Sequence, residues 1–284
     1  MNPKNETYQF PDNDLHNQII AMDSELAKQA TNFTIEEQRL FYITLASIKP
    51  NQKSSIIEID KKAVLDMLGF NSQNQYSRLR PMFTKMIKKS LILSGDDEVW
   101  NDGFLFYKCR TTKKKIYIYV DDEYIPLLIK LQPGFTRLLS DDAISFKSKF
   151  SMILYQQLMR LNNKGDYGVG FTTKELKMIF GLSKDNYVTK GHFDRSAFER
   201  RTINVAVKDI NVKSKCIQNL RYEKRKKNGR VQGYVFFFDY TDPNEFRTTY
   251  NKSNNDSSSK KVTNEDKEFL RKMMDTIGLS LIHI

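Results

Sequence analysis

The sequence predicts an α+β protein built from two similar units in tandem. Three observations carry that expectation: a gapless internal repeat, the same order of apolar patterns around both copies, and a length of 284 residues with 39% hydrophobic residues, enough for two ordinary cores. The repeat sets residues 56–70, IIEIDKKAVLDMLGF, against residues 168–182, GVGFTTKELKMIFGL. In each copy a short apolar strand meets an Asp or Thr able to cap a helix. About two helical turns follow, and Gly69 or Gly181 closes the helix ahead of a hydrophobe.

An amphipathic helix precedes each copy. Over residues 34–46, Thr34 and Glu37 can form a reciprocal capping box; over residues 150–161, Phe150, Leu154, Leu158 and Leu161 share one stripe. A longer helix follows each copy. In the first unit it carries Leu79, Met82, Phe83, Met86 and Ile87, and Pro81 means that it starts or bends there. In the second it spans about residues 196–211 with Ser196 and Glu199 as a capping pair, and Thr172 with Glu175 makes another such pair one helix earlier. Two strand-like runs joined by a basic turn come last: 104–109 with 116–120, and 216–223 with 231–239. Helix, strand, helix, helix and hairpin in that order spell a winged helix. The expectation is therefore two tandem winged-helix domains at 20–132 and 133–242, a flexible N-terminus at 1–19 and a linker with a disordered C-terminal tail at 243–284. Residues 20–30 read as a short helix, and 265–277 as a helix within the tail. The last six residues, LSLIHI at 279–284, match one reading frame of a transposase sequencing adapter and are expected to be foreign to the protein.

The formal net charge of +12 is unevenly placed. Residues 184–232 hold 14 Lys+Arg against 5 Asp+Glu, residues 103–120 hold 5 Lys+Arg and no acid, and the other 217 residues net −2. Two basic segments on a near-neutral body are the footprint of a polyanion. Both contain strand-like runs and neither is an amphipathic helix with a broad Lys/Arg face, so nucleic acid fits better than an anionic membrane. No run of eighteen apolar residues exists, and the N-terminus lacks a basic-then-apolar leader, so neither a membrane span nor a signal peptide is expected. Cys109 and Cys216 fall in strand-like segments and read as small buried thiols in a reducing compartment.

Within the longer helix of the second unit, Ile203, Ala206, Val207 and Ile210 share an apolar face. At 3.6 residues per turn Arg200, Asn204, Lys208 and Asn211 gather on another face, with Arg201 beside them and Arg195 just ahead. Arg pairs with guanine and Asn with adenine on their major-groove edges, so these are the residue types that a recognition helix needs. The hairpin that follows carries Lys224, Arg225, Lys226, Lys227 and Arg230 around Asn228-Gly229, a tight-turn pair. Such a basic tip can grip phosphates or enter a minor groove. In the first unit Arg78 and Arg80 mark the matching helix, and Lys108, Arg110, Lys113, Lys114 and Lys115 the matching wing. Any one of these taken alone is an ordinary solvated residue; their place in a winged unit inside a basic segment makes them the expected contacts to double-stranded DNA. Tyr117, Tyr119, Tyr234, Phe236, Phe237 and Phe238 alternate as strand residues do and read as core and sheet-face rings.

Enzyme signatures are wanting. His16, His192 and His283 show no metal-ligand spacing, no Cys/His cluster exists, and no phosphate-cradling glycine loop with Lys and Ser or Thr occurs. The acids at 96–98, 121–123 and 141–142 have the chemistry to hold Mg²⁺, but each group lies in a turn or at an element end, where acids are common. No catalytic residue, metal or cofactor is expected.

Residues 198–203, FERRTI, through 207–211, VKDIN, and the basic hairpin after them resemble the initiator Rep proteins of iteron-controlled, theta-replicating plasmids. The helix at 33–46 followed by the strand and helix at 56–70 resembles the opening pattern of the same family, and the likeness spans about residues 20–240. The resemblance implies binding to repeated plasmid origin sequences with each domain on a major groove, opening of an adjacent AT-rich segment, and recruitment of host replication proteins such as a helicase or helicase loader. It also implies a monomer–dimer equilibrium, autorepression and a place in the bacterial cytoplasm. It puts Arg200, Arg201 and Asn204 on bases, and Lys208 with the 224–230 wing on phosphates. Pro81 departs from the uninterrupted first-domain helix of the family. A rolling-circle initiator, which nicks DNA with a tyrosine and a His-hydrophobic-His metal pair, is disfavoured because no such His pair exists. A winged-helix transcriptional repressor is the alternative that the same residues leave open.

Overall fold

The computed structural model describes residues 15–16, 18–22, 33–48, 54–70, 76–88, 90–95, 100–125, 128, 136–161 and 168–246. Residues 1–14 of the expected flexible N-terminus, most of the tail with its helix and last six residues, and the acids at 96–98 lie outside the described residues. The end of that N-terminus is corrected, since Leu15 is buried, Gln18 N–H donates to Ser140 Oγ and Ile19 opens a strand.

The first unit opens with α1 (Ile35–Ala46), capped as its sequence predicts: Glu37 N–H donates to Thr34 Oγ1, and Thr34 N–H donates to Glu37 Oε2 at 2.9 Å. Leu40, Phe41, Tyr42 and Ile43 are wholly buried. β2 (Ile56–Asp60) alternates exposed and buried residues, and Asp60 caps α2 (Lys61–Met67) by accepting from the Lys62 and Ala63 N–H groups. Gly69 (φ 70°) then ends the helix, with Phe70 N–H donating to Leu65 O at 2.8 Å. α3 (Tyr76–Met86) starts ahead of Pro81 and continues through it, Pro81 staying on the exposed side while Leu79, Met82, Phe83 and Met86 face the core. Next comes a hairpin absent from the sequence expectations, β3 (Ser90–Gly95) with β4 (Trp100–Phe104), and then the wing, β5 (Phe106–Thr111) with β6 (Lys115–Val120). The sheet order is β2-β6-β5, all antiparallel.

The second unit repeats this frame. β7 (Thr136–Leu139) and α4 (Ser140–Ser145) lead into α5 (Lys149–Arg160), followed by β8 (Val169–Thr172) and α6 (Thr173–Ile179). Thr172 and Glu175 form the expected capping box. Gly181 (φ 65°) ends α6 as Gly69 ends α2, with Leu182 N–H donating to Lys177 O at 2.9 Å. The two copies of the repeat thus share a left-handed glycine and the same six-residue hydrogen bond. A small hairpin, β9 (Val188–Thr189) with β10 (His192–Phe193), precedes the long helix, which comprises α7 (Arg195–Phe198), a π turn (Glu199–Ile203) and α8 (Asn204–Lys213). The wing is β11 (Ile217–Lys227) with β12 (Arg230–Tyr240), and the sheet order β8-β12-β11 matches that of the first unit. Pro243–Phe246, read from sequence as the start of the tail, forms a 3-10 turn with Phe246 packed on the core.

The expected helix at 20–30 is corrected at its start: Ile19–Met22 is a strand, β1. It pairs antiparallel with β7, Ile19 opposite Leu139 and Met22 opposite Thr136, and buries Ile20 and Met22 completely. A run of Ile-Ile-Ala-Met suits helix or strand, and only a partner distant in sequence decides it. The units are also joined by a buried polar contact: the Tyr42 hydroxyl donates to Gln156 Oε1 at 2.6 Å and accepts from Gln38 Nε2 at 2.9 Å.

The acids near 121 and 141 hold the chain together. Asp121 Oδ1 accepts from Glu123 N–H at 3.1 Å, and the wholly buried Asp142 accepts from Ser214 Oγ at 2.6 Å and from the Lys215 and Cys216 N–H groups. Asp141 binds His16 Nδ1 at 2.7 Å and Lys215 Nζ at 2.8 Å. Cys216 is buried, Cys109 is half-buried, and neither is in a disulfide.

Candidate nucleic-acid interface

The helical run 195–213 begins one residue earlier than its sequence pattern and with a different cap. Asp194 Oδ1 accepts from Ala197 N–H at 2.9 Å. The expected Ser196–Glu199 pair does not form, because the Glu199 side chain is buried and turned the other way: it accepts from the Tyr234 hydroxyl at 2.9 Å and from Lys224 Nζ at 2.7 Å. Burial, and next the Glu199 carboxylate, hold the Tyr234 phenol well above the ordinary tyrosine range, so it stays a donor. Glu199 also opens the π turn, in which Asn204 N–H reaches back five residues to Glu199 O and the Thr202 hydroxyl donates to Phe198 O at 2.6 Å.

The apolar face is as the spacing predicts, with Ile203, Ala206 and Ile210 buried and Val207 half-buried. Arg200, Arg201, Asn204 and Lys208 are exposed. Asn204 Oδ1 accepts from the Tyr222 hydroxyl of the wing at 2.8 Å, which orients the amide at the surface. Asn211 is engaged with β11, donating to Leu220 O at 2.8 Å and accepting from Leu220 N–H at 2.7 Å. Arg195 is half-buried and turned toward β12, where Nη2 donates to Val231 O at 3.2 Å. The one acid of α8, Asp209, accepts from Lys147 N–H at 2.7 Å and pairs with Lys213 Nζ at 3.1 Å.

The wing is therefore braced to the helix at four places: Glu199 with Lys224 and Tyr234, Asn204 with Tyr222, Arg195 with Val231, and Asn211 with Leu220. Beyond these braces Arg225, Lys226, Lys227 and Arg230 are exposed around a turn in which Asn228 (φ 51°) and Gly229 (φ 72°) are both left-handed. Four cations crowded at one tip repel one another in water, and a row of phosphates relieves that.

In the first unit three of the expected cations, Lys108, Arg110 and Arg78, lie over the rings of neighbouring residues. Lys108 Nζ sits 4.9 Å from the Tyr119 ring centre, the Arg110 guanidinium 4.9 Å from that of Tyr117, and the Arg78 guanidinium 4.6 Å from that of Phe70. Lys115 pairs with Glu58 at 3.2 Å, while Arg80, Lys113 and Lys114 are exposed. Among the described residues no group of three or more His, Cys, Asp or Glu could hold a metal ion, and no helix is long and apolar enough to cross a membrane.

Sequence reasoning passed over Glu199 and Tyr222 as helix-to-wing braces, and the β9–β10 hairpin altogether. The hairpin had a signal: Val188-Thr189 and His192-Phe193 are short strand-prone pairs around Lys190-Gly191. The braces had none, since each depends on a partner brought in by the fold.

No curated protein matches this chain in sequence. Among solved structures the chain is similar to the Pi initiator protein in complex with iteron DNA, at 18% identity and a TM-score of 0.67 over 79% of this chain and 98% of that one. It is less similar to domains 2 and 3 of RctB, at 9% identity and a TM-score of 0.46 over 73% of this chain and 82% of that one. The family profile described as "Initiator Replication protein, WH1" matches residues 19–159, and the one described as "Initiator Rep protein, WH2" matches residues 172–238. With both winged helices matched in order, the chain belongs to the initiator replication protein family.

Proposed function

We propose that this protein starts replication of a bacterial plasmid by binding repeated origin sequences, iterons, in double-stranded DNA. It then helps to open an adjacent segment and recruits host replication proteins such as a helicase or its loader. It does so in the cytoplasm, in a monomer–dimer equilibrium, without a cofactor or a catalytic step of its own. The observation that carries this reading is the exposed face of Arg200, Arg201, Asn204 and Lys208, braced against a basic wing in a member of the initiator family. The Pi initiator protein, bound to iteron DNA in its solved structure, supports the same reading. Support for the absence of nuclease chemistry comes from Asp121 and Asp142, whose carboxylates are engaged by backbone and hydroxyl donors of the fold.

The test is genetic and biochemical together. Removing the gene from its replicon should abolish plasmid maintenance, supplying it in trans should restore it, and the purified protein should shift origin repeats more strongly than random duplex. Binding with maintenance unaffected would make the protein a repressor instead.

A further inference from the structure

The β9–β10 hairpin stands directly ahead of the helical run 195–213, with His192 opposite Thr189 and Phe193 opposite Val188. Its base is fixed. The rings of Phe193 and Tyr187 lie 5.5 Å and 5.7 Å from that of Phe198, a wholly buried residue of α7, and Asp194 N–H donates to Tyr187 O at 2.7 Å. Lys177 closes the other side, donating to the carbonyls of Lys184 at 3.1 Å and Asn186 at 3.2 Å. Beyond this base Val188, Thr189, Lys190, Gly191 and His192 are all exposed.

The tip can be compared with the wing tip of the same domain. Lys190 and Gly191 have φ of 51° and 77°; Asn228 and Gly229 have φ of 51° and 72°. Both hairpins therefore turn on two successive left-handed residues. At the wing the first of them is Asn, which tolerates that backbone, whereas at the small hairpin it is Lys, which adopts it only at a cost. Asn, Asp or Gly would make the same turn with less strain, so the turn does not account for the lysine. A strained residue whose side chain is exposed at a fixed tip marks a place where the side chain itself is used. Its charge fits the basic segment 184–232, and the base of the hairpin holds it beside the helix that carries Arg200 and Arg201.

The geometry points to the β9–β10 hairpin as a third DNA-contacting element of the second domain, with the Lys190 ammonium on a backbone phosphate flanking the bases faced by the helix. This rests on the reading of the domain as a duplex-DNA binder. The hairpin supplies affinity and sets how the helix enters the groove, and it carries no base preference of its own.

The test is Lys190→Asn in the full-length protein, with Lys190→Arg beside it, measured on a short random-sequence duplex across a salt series. Lys190→Asn should melt at the same temperature as the natural protein or higher, because Asn suits the turn. It should bind the duplex about three- to tenfold more weakly at low salt, with the slope of log K against log salt reduced by about one. Lys190→Arg should keep both affinity and slope. Unchanged affinity and slope in Lys190→Asn would overturn the proposal, and so would a weaker binder that also melts lower, since the lysine would then be serving the fold. Failure of the natural protein to bind any duplex would instead remove the DNA-binding reading itself.

Discussion

At Leu79, Met82, Phe83 and Met86 the first unit's α3 puts only apolar side chains into its core, whereas the second unit fills the same spacing with Glu199, Thr202, Ile203 and Ala206. Apolar packing is non-directional and leaves a helix some freedom to roll. A buried carboxylate is different, because it must keep its donors. Glu199 keeps two, Tyr234 and Lys224, both on the wing, and the π turn that it opens sets the phase of Asn204 and Lys208 behind it. Buried ion pairs often add little net stability. What this one does is fix the rotation of an exposed helix face against a basic hairpin. Cations rest on rings in both units, Arg78, Lys108 and Arg110 on Phe70, Tyr119 and Tyr117 in the first and Lys177 and Arg221 on Phe193 and Phe237 in the second, so the buried carboxylate, not the stacking, is what separates them. We propose that the second unit reads bases and that the first holds the backbone.

That contrast can be broken by substitution. Arg200→Ala and Arg201→Ala should each cost about 1–3 kcal/mol at one base position and narrow the gap between origin repeat and random duplex in competition binding. Lys226→Ala with Lys227→Ala should weaken both targets alike, and Arg80→Ala, at the place in α3 that matches Arg200, should behave like that wing pair. Discrimination lost through Arg80 and kept through Arg200 would reverse the assignment of reader and holder. Glu199→Leu sharpens the same point, since it installs the first unit's solution in the second. Stability by denaturant titration should fall by about 1–3 kcal/mol, because the buried Tyr234 hydroxyl loses its acceptor, while discrimination falls by up to about tenfold. The smallest effect concerns acid. Burial opposes charge on Asp209, but the Lys147 N–H and the Lys213 ammonium outweigh it and hold its carboxyl below the ordinary 3.8. A lowered carboxyl pKa stabilises the fold above that ordinary value, and the contribution is lost as pH falls below it. Asp209→Asn should therefore lower the melting temperature slightly at neutral pH and leave it little changed on the acid side of about pH 4, so that the variant's acid drop is flatter.

The parts of this fold legible in sequence are those whose causes are local. Gly69 and Gly181, the boxes Thr34/Glu37 and Thr172/Glu175, and the turn Asn228-Gly229 each complete their hydrogen bonds or backbone preference within a few residues, and each was expected where it stands. The misread places answer to distant partners. Ile19–Met22 becomes a strand only because Thr136–Leu139 lies beside it. Glu199 abandons Ser196 for Tyr234 and Lys224. Of the residues expected to meet DNA, Arg200, Arg201 and Lys208 were legible as an exposed stripe because helical spacing alone exposes them. That Arg195 turns inward to Val231, and Lys224 to Glu199, follows from the wing folding back on the helix, which no spacing rule contains.

The pairing of β1 with β7 also bears on how the protein is made. Ile19–Met22 leaves the ribosome early, and its partner Thr136–Leu139 follows more than a hundred residues later. At roughly 5–20 residues per second the first strand waits on the order of ten seconds with its edge open. Ile20 and Met22, wholly buried at the end of the process, lack their strand partner throughout that wait. β1 and β7 thus complete a two-stranded sheet of their own only late in synthesis, and a nascent chain halted before Leu139 presents an unpaired apolar strand to chaperones and to its neighbours on the same messenger.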